Sequence, residues 1–156
     1  MTQLDPNIPL RVVTSYASQD KEYLQKLEAH WEPMRESGGI ASWTSNKILA
    51  GQTGEDAVRK AFQEADVFIF LLSAEALISK PIKELELPIA LAKYAAGKAE
   101  IIPVLVRPCM WRFSAFKDQQ LLPMDGRPIS GWDNEDEACM MIAADMEPVF
   151  IRAQQK

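Results

Sequence analysis

A chain of 156 residues, 47% apolar and 25% charged, has the size and composition of one ordinary domain that buries its own core, which excludes a disordered or fibrous chain. Seventeen basic against 22 acidic residues give a formal charge of -5, and Lys and Arg never run longer than a pair, so a nucleic-acid footprint is not expected. The longest apolar runs, at 67–72 and 101–106, fall far short of the ~20 residues of a membrane span, and the first ten residues lack the basic start and apolar stretch of a secretory signal.

Residues 10–16 (LRVVTSY) are apolar and β-branched and predict a first strand, with Ser18, Gln19 and Asp20 opening a helix after it. Over 20–35, Tyr23, Leu24, Leu27, Trp31 and Met34 recur at helical spacing, and Ser37, Gly38 and Gly39 supply a stop. A short strand at 40–43 follows. Residues 44–54 (TSNKILAGQTG) carry turn formers and two glycines, long for a link between strand and helix. The next helix, 55–65, sets Val58, Ala61, Phe62 and Ala65 on one face.

The continuous apolar run at 67–72 predicts a strand covered on both faces of a parallel sheet. Ser79 and Pro81 precede a helix expected over 83–96 and closed by Gly97, and 101–106 is a further buried strand. Four prolines and four large aromatics then mark a packed loop, with one short strand near 128–132. A last helix is expected over 134–152, with Ala138, Met141, Ile142 and Val149 facing inward and Pro148 bending or breaking it.

Strand and helix thus alternate about five times, the pattern of an α/β domain with a doubly wound parallel sheet and helices on both faces. The expected domain spans 10–152, with tails at 1–9 and 153–156. Ligands of such sheets bind beyond the carboxyl ends of the strands where strand order reverses, which points to the loops after Tyr16, Trp43 and Leu72. Cys109 and Cys139 read as small apolar fillers of a reduced, cytoplasmic protein, and His30, the single histidine, sits in an amphipathic helix. No dinucleotide or phosphate-cradling glycine motif and no His-Glu-x-x-His zinc motif occurs, which disfavours dehydrogenase, NTPase and zinc-hydrolase chemistry.

Three stretches in order, SYASQDKEYLQKL at 15–27, SWTSNKILAGQTGEDAV at 42–58 and ADVFIFLLSAEALISKPIKELELPIAL at 65–91, resemble TIR domains of bacterial type. The likeness continues through IIPVLVRPCMW and LLPMDGRPISGWDNEDEA and so covers nearly the whole chain. It implies a flavodoxin-like fold with a five-stranded parallel sheet. It also implies two broad activities: cleavage of NAD to linear or cyclic ADP-ribose, and self-assembly with other TIR domains into homo-oligomers or filaments. In that reading NAD is the substrate and no cofactor or metal is required. The alternative is a non-catalytic scaffold acting only through TIR-TIR contacts. The resemblance further suggests a fused or associated sensor domain and a role in bacterial antiphage defence or signalling.

Enzymatic members carry a catalytic glutamate in the helix after the third strand, usually as Trp-x-x-x-Glu. Aligned through ELPIAL, that glutamate is Glu86, and the tryptophan position holds Ile82, so the aromatic platform is missing. Glu84 is the nearby competitor; two positions apart on a helix, the two carboxylates point in nearly opposite directions. By the same carry-over Ser15, Tyr16, Ala17 and Ser18 border the nucleotide, and Lys47 or a neighbouring chain supplies the charge for the diphosphate; Trp43, Trp111 and Trp132 read either as core aromatics or as surfaces on which a base could stack. The loop at 45–53 corresponds to the family's loop that closes over the site and takes part in assembly, with Gly51 permitting the backbone change.

Overall fold

Four parallel strands organise the computed structural model, which describes residues 3–45 and 54–156. They are β1 (Leu10–Ser15), β2 (Ile40–Ser45), β3 (Val67–Leu72) and β4 (Glu100–Leu105), in the order β2-β1-β3-β4. Between and after them run α1 (Lys21–Arg35), α2 (Gly54–Glu64), α3 (Ala74–Ile78), α4 (Leu87–Ala95) and α5 (Glu135–Gln154). Every residue of β3 and β4 is buried, as their unbroken apolar runs require, whereas the edge strand β2 leaves Ala41, Ser42 and Thr44 exposed.

The two-residue alternation of the strands divides the core into two layers. On one face Val12, Ile69, Leu71, Ile102 and Val104 meet Leu24, Leu27 and Trp31 of α1 and Ile142, Met146 and Phe150 of α5. On the other, Val13, Phe68, Phe70, Leu72, Ile101 and Leu105 meet Phe62 of α2 and Ala90 of α4. Each fully buried Leu, Ile or Phe contributes about 2 kcal/mol by leaving water, so both layers are strongly held.

Four expectations need correction. The fifth strand near 128–132 is a 3-10 turn, Ile129–Gly131, and what lies beside β4 is a single bridge between Val104 and Leu122. Leu122 donates to the Pro103 carbonyl (2.9 Å) and its own carbonyl accepts from Leu105 (2.8 Å), and the chain then turns, the Gly126 N–H donating to the Pro123 carbonyl (3.0 Å). The described residues therefore form four strands.

The helix expected over 83–96 begins as a π-helical turn, Ile82–Glu86, that runs into α4. Gly97, at φ 72°, closes it: its N–H bonds the Tyr94 carbonyl (3.0 Å) and that of Lys98 the Lys93 carbonyl (2.9 Å). An additional short helix, α3, precedes it, capped by the Ser73 hydroxyl, which accepts from Ala76 N–H at 3.2 Å.

Finally, α5 passes through Pro148 unbroken, ends at Gln154 rather than near 152, and leaves Met141 exposed rather than facing inward. Met146, Phe150 and Ile151 are buried on both sides of the proline, and that packing outweighs one missing hydrogen bond. The described segments flanking 10–152 bond to each other, the Gln154 amide at the end of α5 donating to the carbonyls of Asp5 (2.9 Å) and Ile8 (2.7 Å). No helix among the described residues is long and apolar enough to cross a membrane.

Candidate functional site

The neighbours β1 and β3 mark the point where strand order reverses, and their carboxyl ends open into a crevice. Ser15, the last residue of β1, lies on the same side of the sheet as Val13 because side chains alternate along a strand. On the helix side, Ile82, Glu86 and Ala90 follow one another at intervals of four and are 6%, 3% and 0% exposed, while Glu84 faces solvent. The Ser15 hydroxyl donates to Glu86 Oε1 at 2.6 Å, in the buried floor of the crevice. A carboxylate so held has a fixed position, and the π turn that carries it is the kind of helix irregularity often found at functional sites.

Around Glu86 the crevice widens to a cleft of about 1080 Å³. Tyr16, Ala17 and Ser18 line it from the loop after β1, Val58 and Arg59 from α2, and Lys80, Ile82 and Glu84 from the approach to α4. A second, more apolar cavity of about 520 Å³ adjoins it, lined by Ser15, Phe70, Met110, Phe113 and Phe116, with Ile78 and Ile82 bordering both.

Ser15, Tyr16, Ala17, Ser18, Ile82 and Glu86 are thus brought together as the sequence suggests. Lys47 and Gly51 lie outside the described residues. Trp43 is not brought to the cleft. It stacks on Trp31 (centroids 4.6 Å apart, 29° between planes), meets Phe150 edge-on at 5.4 Å, and donates from Nε1 to Thr14 Oγ1 at 3.1 Å. Thr14 and Ser15 are adjacent on β1 and point to opposite faces, so a Trp43 bonded to Thr14 is in the α1/α5 layer, across the sheet from Glu86.

An ionic buttress beside the cleft escapes the sequence reading. Asp20, fully buried at the start of α1, accepts from the Ser73 hydroxyl and from Arg107 Nε at 2.7 Å, and Arg107 Nη2 reaches Glu75 Oε1 at 2.8 Å. The hydrogen bonds that Arg107 donates to Asp20 and then to Glu75 raise its pKa further, and Arg107 holds the Glu75 carboxyl below its ordinary range. This cluster ties the loop after β1 to α3 and to the end of β4, and so holds the cleft's walls in place. Its signal in the sequence is the position of polar residues immediately beyond apolar strands; their pairing is not visible there.

A family model described as TIR domain matches residues 12–140. An uncharacterized protein, y4lF, of Sinorhizobium fredii (strain NBRC 101917 / NGR234) is 29% identical over 132 residues. That match covers 85% of this chain and 41% of the relative, so the chain spans less than half of that protein's length. Among solved structures, the TIR domain of the Toll-related receptor TRR-2 from Hydra magnipapillata superposes with a TM-score of 0.54 at 20% identity. The match covers 92% of this chain and 93% of that one, a likeness of fold.

Proposed function

The chain belongs to the TIR domain family, and from that premise we propose that it cleaves NAD at the nicotinamide glycosidic bond, yielding nicotinamide and linear or cyclic ADP-ribose. The observation that carries this reading is Glu86, a carboxylate 3% exposed and fixed by the Ser15 hydroxyl at 2.6 Å, on a cleft wide enough for a dinucleotide. The reaction asks little more of the protein. Nicotinamide is bound to ribose as a cation and leaves with the bonding electron pair as a neutral ring, so no proton donor is needed, in contrast to an ordinary O-glycoside.

As the bond from the anomeric carbon to the ring nitrogen breaks, positive charge spreads over C1′ and the ring oxygen of the ribose. A preorganised negative group stabilises that charge best in a site poor in water. Glu86 supplies the charge, and Ser15 keeps its carboxylate from turning away. Water then adds to C1′ and gives up a proton, or the adenine ring of the same molecule closes onto C1′ to give the cyclic product. Self-association of TIR domains under an attached sensor is the proposed activation, with antiphage defence or signalling as the setting.

A scaffold reading is favoured by one observation. Ile82, where enzymatic members carry tryptophan, is 6% exposed and part of the core, so no aromatic face is offered at that position. Nicotinamide release from NAD by the concentrated, crowded protein separates the two readings, with Glu86→Ala and Glu84→Ala alongside. Release that rises steeply with concentration and disappears only in Glu86→Ala supports the enzyme. Loss only in Glu84→Ala displaces the catalytic assignment, and no release from folded, self-associating protein favours the scaffold.

A further inference from the structure

We infer that Arg59 and Lys80 form a diphosphate-binding pair on two lining elements of the Glu86 cleft, with Glu55 as the internal counter-ion that a diphosphate displaces. The inference deepens the proposed function, resting on the cleft being a dinucleotide site. It starts from a mismatch of charge. The described lining contains four carboxylates, Glu55, Glu75, Glu84 and Glu86, and two cations, Arg59 and Lys80. A dinucleotide brings two more negative charges on its diphosphate, and the loop after β1 offers Ala17 and Ser18, which carry none to offset them.

The structure sorts the carboxylates by partner. Glu75 is held by Arg107, which comes from the buttress behind the cleft. Glu55 is held by Arg59 across one helical turn, Nη2 to Oε1 at 2.8 Å, with the two side chains 71% and 44% exposed. An exposed pair of this kind is worth little, whereas a phosphate offers a guanidinium two parallel, charge-assisted hydrogen bonds. Arg59 is therefore a guanidinium parked on a weak partner at the edge of the site. Exchange of Glu55 for a phosphate oxygen needs only a change of rotamer.

Lys80 completes the pair from a second lining element, the approach to α4. It is exposed and six residues before Glu86, at the entry to the π-helical turn. That placement lets its flexible ammonium meet the phosphates while the anomeric carbon sits over Glu86. The ligand class selected is a nucleoside diphosphate or its sugar ester. A nucleoside without phosphate gains nothing from either cation.

Calorimetric titration of the full chain with ADP-ribose, and with adenosine as the phosphate-free control, tests the pair. Arg59→Gln and Lys80→Gln each weaken ADP-ribose about tenfold, the loss of a hydrogen bond to a charged group. Glu55→Gln tightens it about threefold by releasing Arg59, and that gain vanishes in the Glu55→Gln/Arg59→Gln double variant. Adenosine affinity stays constant throughout. All three residues are exposed, so the variants keep the fold.

No ADP-ribose binding to folded wild type overturns the inference. So does equal weakening of adenosine, or a Glu55→Gln gain that persists without Arg59. Nicotinamide release measured in parallel keeps the two claims apart: this binding pattern without release overturns the enzyme alone, and release with a KM unmoved by Arg59→Gln overturns the pair alone.

Discussion

Two buried glutamates stand at opposite ends of the sheet, and their surroundings differ in kind. Glu100 opens β4 at the amino end and is 4% exposed. Arg152 grips it with two hydrogen bonds, Nε to Oε1 at 2.8 Å and Nη2 to Oε2 at 3.0 Å, and Lys156 adds a contact at 3.3 Å. Burial pushes its pKa up, but Arg152 and Lys156 together outweigh burial and hold the carboxyl below its ordinary 4.5. Glu86, at the carboxyl end and 3% exposed, is positioned by the neutral hydroxyl of Ser15 and lines a cleft large enough for a ligand. One carboxylate is enclosed by cations that use both its oxygens, as suits a structural anchor. The other lines a cavity, where the proposed reaction places its substrate.

The contrast breaks most sharply through Glu86 itself. Glu86→Gln preserves shape and is expected to lower nicotinamide release at least about 100-fold, the usual cost of removing a preorganised electrostatic partner of a transition state. Its urea midpoint should move little; a large fall in stability with release retained would make Glu86 a second anchor. Next in size is Arg152→Ala, which takes the two-point grip from Glu100 and is expected to cost about 2 kcal/mol in urea unfolding with release unchanged.

Ser15→Ala comes third. It leaves Glu86 in place without its hydroxyl donor, and the expected result is about a tenfold slower release with KM nearly constant. A change confined to KM would assign Ser15 to the substrate rather than to the carboxylate.

The smallest effect lies in acid. The folded pKa of Glu100 is below its unfolded value, so on acidification the unfolded chain takes up the proton first. Its contribution is fully present above 4.5 and is lost as pH falls through the lower, folded value. Urea midpoints followed from about pH 6 to about pH 3 should therefore fall less steeply in Glu100→Gln than in wild type. Equal slopes would remove Glu100 from the acid response.

Much of this was legible residue by residue. The apolar runs that became β3 and β4 read as buried parallel strands because each is covered on both faces. Glu86 and Glu84 read as lying on different sides of their helix because they are two positions apart, and Glu86 is the buried one, although both line the cleft. The fifth strand is not where the sequence suggests because Pro128 and Trp132 resemble strand boundaries, while the lone bridge at Leu122 depends on where that loop docks. The π turn was invisible because it differs from an α-helix by one hydrogen-bond step, not by composition. Trp43 reads as a ligand surface or a core aromatic because the sequence does not say which layer the end of an edge strand packs against. Its bond to Thr14 decides for the core.

By itself the sequence determined the alternation of strand and helix, the two-layered core and the doubly wound sheet, because these follow from periodicities of two and of about 3.6 within a few residues. It also determined which helix face Glu86 occupies. Tertiary structure alone decided that Ser15 meets Glu86 across 71 positions and Arg107 meets Asp20 across 87, and that Arg59 and Lys80 face one cavity. Such contacts arise when β1 and β3 become neighbours and their carboxyl ends bring distant loops together. No local pattern encodes that adjacency, because it is a property of strand order, which only the packed sheet defines.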